Sequence, residues 1–208
     1  MEARKQRVIF YIDGFNFYFG LKSKKWKQYY WLDMIRFCQS FLKPHQELIE
    51  VSYFSAVPKD KGKQDRQDLF FSANRLNPKF QLVFGKYLSK TITCYNCKNP
   101  INTFEEKQSD VNIAVKMIRD VVLNRTDVSI IVSADSDLTP PIDFLRELKP
   151  SHKIFVYFPP NRFSYDLKHK ADNYIKLENH PDKFKNAILP TEITLKNGYL
   201  LQRPDKWR

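Results

Sequence analysis

"IIVSADSDLTPP", residues 130–141, begins as an unbroken apolar run and ends in two aspartates one residue apart, Asp135 and Asp137, with Pro140 and Pro141 close behind. Extended upstream, "VSIIVS" (128–133) reads as a strand buried on both faces. "PPIDFLREL" (140–148) places proline in a first helical turn, where its missing N–H does no harm. The stretch is therefore strand, acidic turn, helix. Like charges so close repel, and each tends to raise the pKa of the other. They either cap the next helix or wait for a cation.

The same alternation runs outward in both directions. "VIFYI" (8–12) is apolar throughout and runs into Asp13, with Gly14 permitting a tight turn and Asn16 within reach of the same edge. Helical spacing follows in "WLDMIRFCQSFL" (31–42), a strand pattern in "LIEVSYFSAV" (48–57), a helix in "QDRQDLFFSANRLN" (64–77) and a strand in "FQLVFGKYL" (80–88). Residues 90–104 read as irregular. "DVNIAVKMIRDVVL" (110–123) is the clearest helix, with Val111, Ala114, Val115, Ile118 and Val122 expected on one apolar face. "KIFVYF" (153–158) and "NYIKL" (173–177) read as later strands. Strands alternating with helices predict an α/β fold whose sheet is parallel, with right-handed crossovers.

The 208 residues favour one domain, here 1–178 with an irregular insertion near 90–104. Residues 179–208 form a polar C-terminal extension expected to pack on it. The hydrophobic share is 42% and the aromatic share 15%, which argue for a packed core. The net charge of +12 is of the kind that serves polyanions, with plain solubility as the bland alternative. No run approaches the roughly 20 apolar residues of a membrane span, and the start lacks a signal-peptide pattern, so no membrane association and a cytoplasmic location are expected. Three cysteines argue against a disulfide framework.

In a parallel α/β sheet, functional groups gather beyond the carboxyl ends of the strands. Asp13, Asp135 and Asp137 follow strands, and Asp110 opens a helix. Singly, each has an ordinary reading: Asp110 and Asp137 as helix caps, Asp13 as a turn residue. Together they fare worse as ornaments, because the strands at 8–12 and 128–133 are expected side by side. Four carboxylates converging there need a cation or bound protons to offset their repulsion. Mg²⁺ or Mn²⁺ suits such an oxygen-rich set. A cation so held activates water and stabilises charge on a phosphodiester.

Three blocks, "YIDGFNFY" (11–18), "EEKQSDVNIAVKMIRD" (105–120) and "IIVSADSDLTPPIDFLRE" (130–147), together with "ADNYIKL" (171–177), resemble the signature blocks of the NYN domain family, within the PIN-like nuclease superfamily. The likeness runs over about residues 7–178. It implies a Rossmann-like three-layer fold around a mainly parallel sheet, and a metal-dependent endoribonuclease acting on single-stranded or structured RNA. The family's acidic positions fall on Asp13, Asp110, Asp135 and Asp137, with Asn16 as the signature amide and Ser133 and Lys107 as supporting positions. Two departures stand out: Ala134 replaces a frequent glycine, and Lys116 stands where relatives often carry another aspartate. The runner-up reading is a non-catalytic RNA-binding module of the same fold. A small-substrate phosphohydrolase with a phosphoaspartate is disfavoured by Phe15, where a second aspartate would be needed.

Candidate nucleic-acid contacts lie in "KSKKWKQYYW" (22–31) and "KDKGKQDR" (59–66): Lys22, Lys24, Lys25, Trp26, Lys59, Lys61 and Lys63, with Arg162 in "FPPNRFS" (158–164). The alternative for the first stretch is a solvated loop whose aromatics pack inward. "CYNC" (94–97) supplies two thiols, Cys94 and Cys97, where zinc needs four ligands. A turn with two free thiols is the expectation, and a half-site shared in a homodimer the alternative.

Overall fold

The apolar runs at 8–12 and 128–133 pair directly, and the rest of the sheet is arranged around them. In the computed structural model, which describes residues 4–195 and 197–207 (with 87–89 and 101–106 as backbone alone), β1 (Gln6–Asp13) leads into α1 (Gly14–Ser23) and α2 (Met34–Gln39). Then come β2 (Gln46–Ser55), α3 (Lys61–Asn74) and β3 (Phe80–Phe84). A hairpin of β4 (Lys86–Thr93) and β5 (Pro100–Lys107) precedes α4 (Ser109–Val122). The second half runs β6 (Val128–Val132), α5 (Thr139–Leu148), β7 (Lys153–Phe158), α6 (Tyr165–Lys170) and β8 (Asn173–Lys176). The tail adds α7 (Pro181–Asn186) and a small antiparallel pair, β9 (Glu192–Thr194) with β10 (Leu200–Gln202).

The central sheet has the order β3-β2-β1-β6-β7-β8, and every pairing in it is parallel. This is the expected Rossmann-like three-layer α/β fold. Strand residues alternate between two cores, as the two-residue period of a strand requires. Val8, Phe10 and Ile12 face a core shared with α1, α2, α3 and the tail, while Ile9 and Tyr11 face one shared with α4, α5 and α6. The chain winds outward through β2 and β3, then returns to place β6 on the other side of β1. The topological switch point therefore lies between β1 and β6, where ligands of open α/β sheets gather.

Three local expectations need correction. Residues 90–104 are mostly strand: β4 and β5 form an antiparallel hairpin, with "CYNC" at its turn. "FQLVFGKYL" (80–88) accordingly divides, β3 ending at Phe84 and β4 starting at Lys86. On α4 the buried face is Ile113, Met117, Asp120 and Val121, while Val111, Val115 and Val122 are exposed. The charged residues explain that rotation. Lys116 Nζ bonds Glu50 (2.8 Å) and Asp120 (2.6 Å), and Arg125 bonds the same two carboxylates (2.9 and 2.7 Å). Tyr11 Oη donates to Asp120 as well (3.1 Å). This four-residue ion network turns the charged side of α4 towards the sheet.

The tail reaches the core through Phe184, which is fully buried against Phe17, Phe37 and Trp26. Trp31 Nε1 also donates to the Pro190 carbonyl (2.8 Å).

Two buried groups contribute to the acid sensitivity of the fold. Burial, then the charges of Lys149 and Arg146, hold the His152 imidazole down to about 4 from its usual 6.5. An unfolded chain therefore binds a proton here that the folded chain refuses, and stability falls as pH drops from 6.5 towards 4. Although burial opposes it, Glu50 is held below its ordinary 4.5 by Lys116, Ser52 and Arg125, so its contribution is present above that pH and is lost as pH falls through its lowered value. Urea titrations from pH 7 to 4 should show this loss beginning near 6.5, and His152→Gln should flatten that first window; equal slopes in both proteins would remove His152 as its source.

Candidate functional site

β1 and β6 end level with one another, Ile12 pairing with Val132, so Asp13 and Ser133 leave the sheet together. Asp13 is only 3% exposed and caps α1. Its Oδ1 accepts from Asn16 N (3.0 Å), and its Oδ2 accepts from Asn16 Nδ2 (2.6 Å) and Ser133 Oγ (2.9 Å). Ser133 Oγ in turn accepts from Asp135 N (3.1 Å), and Asp135 Oδ1 accepts from Asp137 N (3.0 Å). A chain of hydrogen bonds thus links the end of β1 to the turn after β6.

The ordinary readings of the aspartates come out reversed. Asp13 and Asp135 are the residues that cap, while Asp137 is exposed and α5 is preceded by Leu138 without a side-chain cap. Asp110 lies in the first turn of α4, whose cap position is Gln108, and α4 packs against the turn Ser136–Leu138 that carries Asp137. Lys107 ends β5 and is exposed. Ala134 needs no left-handed backbone, so the methyl group is accommodated. Lys116, at the position of a further aspartate, belongs to the ion network beneath the sheet.

The electrostatics of Asp13 are unlike those of the other buried acids. Glu50 and Asp120 each bond two cations, whereas every partner of Asp13 is neutral. Burial is the main cause pushing the Asp13 carboxyl above its ordinary value; its hydrogen bonds pull it back and the charge of Asp135 adds to the rise. A cation relieves both causes. Among the described residues no group of three or more His, Cys, Asp or Glu is gathered to hold a metal ion. Mg²⁺ is commonly held through one or two carboxylates, its other positions kept by water. Ser133 ties the Asp13 carboxylate to the backbone N–H of Asp135, so the two aspartates are the candidates at this edge for such a pair.

The basic candidates divide. Lys22, Lys59 and Lys63 line a cavity beside Asp13, between α1, β2 and α3. Lys24 is paired with Glu178 (3.1 Å), Lys25 and Lys61 are exposed away from that lining, and Arg162 is exposed on the loop after β7. Trp26 is half-buried and packs on Phe184 and Tyr29 (5.2 and 5.4 Å between centroids), the packing foreseen as the alternative for that stretch. The sequence reading missed Tyr18, Arg66, Gln67 and Trp207 in the cavity wall. One signal was available: "FNFYF" (15–19) puts rings on more sides of α1 than a single buried face can use.

The NYN domain model matches residues 7–178. The chain belongs to the NYN domain family. Among curated proteins it is similar to 6-hydroxy-3-succinoylpyridine 3-monooxygenase HspA of Pseudomonas putida, at 26% identity over an alignment covering 70% of this chain and 57% of that protein. The chain thus spans little more than half of that relative's length. A crystal structure of a protein of unknown function from Vibrio parahaemolyticus shares the fold, with a TM-score of 0.55 at 16% identity, covering 84% of this chain and 95% of that one. No helix among the described residues is long and apolar enough to cross a membrane.

If Asp13 holds a divalent ion, then by mass action Mn²⁺ raises the melting temperature of the wild-type protein. The same addition should leave Asp13→Asn unmoved, while an equal rise in both would put the ion elsewhere. Asparagine keeps an acceptor for the Asn16 N–H cap but replaces the other oxygen with a donor, so the comparison is of the metal-induced shift in each protein rather than of their absolute melting temperatures.

Proposed function

We propose that the chain is a metal-dependent endoribonuclease that hydrolyses phosphodiesters of RNA at the switch point between β1 and β6. The observation that carries this reading is Asp13: a buried carboxylate with neutral partners only, beside Asp135, in a chain of net charge +12. Membership of the NYN domain family supports a nuclease of PIN-like type.

On this reading Asp13 and Asp135 hold Mg²⁺ or Mn²⁺, and Asp110 and Asp137 order the waters around it from the flanking helix and turn. The bound ion supplies an activated water and neutralises charge building on the phosphate. Ser133 and Asn16 are positioning residues: their hydrogen bonds fix the Asp13 carboxylate, as outer-shell groups fix metal ligands. The lysines beside the site hold the polyanionic backbone. The absence of a gathered three-residue ligand group among the described residues favours one second reading, a binding module of the same fold that holds RNA without cutting it. The pyridine monooxygenation named for the Pseudomonas putida relative is the chemistry of a longer protein.

Labelled single-stranded RNA and DNA, incubated with Mn²⁺, Mg²⁺ or EDTA, decide between these. Wild-type protein should cut RNA in an EDTA-sensitive reaction. Asp13→Asn and Asp135→Asn should lose that cleavage, and Ser133→Ala should lower it by about 10–100-fold, the usual cost of removing an outer-shell partner. Tight RNA binding with no cleavage under any of these conditions would replace the nuclease with the binding module.

A further inference from the structure

The cavity beside Asp13 has a volume of about 670 Å³, within the range of small-molecule sites. Gly14 lies in its wall, so its mouth begins one residue from the buried carboxylate. That glycine is obligatory: a Cβ there would fall 2.5 Å from the Phe54 carbonyl oxygen and 2.5 Å from the Tyr53 ring. The far wall is the C-terminal turn Asp205–Trp207, contributed by residues outside the span of the family match.

Three properties of the wall define an occupant. Its rings form a continuous surface, Tyr18 lying 5.1 Å from Tyr30 and Tyr30 lying 5.9 Å from Trp207 between centroids. Burial pushes the Tyr30 hydroxyl up to about 12, so the ring stays neutral at physiological pH. Its rim is basic: Lys22, Lys59, Lys63, Arg66 and Lys206 all line it, and none of them forms an ion pair among the described residues. Asp60, the acid of the lining, has its carboxylate engaged as the cap of α3, accepting from Lys63 N (2.7 Å). Finally, Gln67 Oε1 is buried without a partner, while its Nε2 donates to Ser55 Oγ (2.9 Å). A buried acceptor left unpaired is costly and marks a place for a donor.

We infer that this cavity takes one unpaired nucleotide of a single-stranded RNA, with its base against Tyr18, Tyr30 and Trp207, its flanking phosphates on the basic rim, and an N–H of its pairing edge donating to Gln67 Oε1. The position of this nucleotide next to a scissile phosphate rests on the nuclease reading; its binding does not. A base paired in a duplex cannot enter, because its faces are stacked and its edge is paired. Adenine, cytosine and guanine can donate an amino hydrogen to Gln67 Oε1 and uracil its ring N3–H, so the subsite takes a base whose pairing edge is free. A small aromatic acid would occupy the rings but satisfy one cation of the rim rather than several.

The test is a single-stranded RNA decamer carrying 2-aminopurine, scanned through its positions and mixed with protein in EDTA. Stacking on the tyrosines should quench the probe on the wild-type protein, and a blunt duplex of the same sequence should leave it bright. Tyr18→Leu should remove the quenching and weaken binding about tenfold, within the usual worth of a stacked base. Arg66→Gln, on the half-buried rim, should weaken binding and reduce its salt dependence by about 0.7 in the log–log slope, the share of one phosphate contact on a single strand. Unchanged affinity and unchanged quenching in both variants would overturn the inference. Displacement of the decamer by adenosine monophosphate or a pyridine carboxylate at comparable concentration would overturn RNA as the occupant. Quenching by a wild-type protein that never cuts RNA with Mn²⁺ would keep the subsite and remove the nuclease.

Discussion

A carboxylate buried at the junction of β1 and β6, and bonded only by neutral donors, constrains much of what surrounds it. Asp13 must end β1 level with β6 so that Ser133 reaches it, and the parallel register of Ile12 with Val132 does this. Gly14 must follow it, because α1 starts in contact with the backbone of β2 and leaves no room for a Cβ. Asn16 must come one turn into α1 to supply two of its three hydrogen bonds. The arrangement sits at the switch point of a doubly wound sheet, where ligands of such sheets gather. Structure alone gains little from such a charge, since uncompensated burial works against the ionised form.

The contrast with Glu50 and Asp120 sharpens this point. These carboxylates are as secluded as Asp13, yet each bonds Lys116 and Arg125. The chain therefore neutralises a buried acid where burial is structural, and it has cations to spare for doing so. Beside Asp13 it places cations on the rim of the neighbouring cavity and none on the carboxylate itself. Local charge, not the total, separates these ion-paired acids from Asp13.

Much of this was legible in the sequence, for identifiable reasons. Runs such as "VIFYI" and "VSIIVS" can only be strands covered on both faces, and two such runs each followed by aspartate placed the acidic edge. The face of α4 was not legible. Val111, Val115 and Val122 recur with a spacing as helical as that of Ile113, Met117 and Val121, and the charges of Lys116 and Asp120 pointed outward by the usual rule. A partner 66 residues away in sequence, Glu50, reversed that rule by drawing Lys116 inward, and Lys116 and Arg125 in turn hold Asp120. The β4–β5 hairpin escaped notice for a different reason: it pairs only with itself, outside the main sheet whose alternation with helices guided the reading. The cavity escaped because α1, α3 and the last turn of the chain build it jointly, and no local window contains all three.

The division between the two sites also says which parts of the chain carry which kind of information. Asp13, Asn16, Ser133 and Asp135 lie within the blocks that mark the NYN domain family, and a phosphodiester presents the same group to them whatever base it bears. The rings and cations beside them come partly from α3 and from Lys206 and Trp207, beyond the matched span. A cation held by carboxylates distinguishes no base from another. A wall of rings with one unpaired amide oxygen separates an unpaired base from a paired one, because a paired base has no free face to stack and no free donor for a buried acceptor. On the proposed reading, the carboxylates meet the phosphate and the cavity wall, which begins at Gly14 beside Asp13 and ends on Lys206 and Trp207, meets the base.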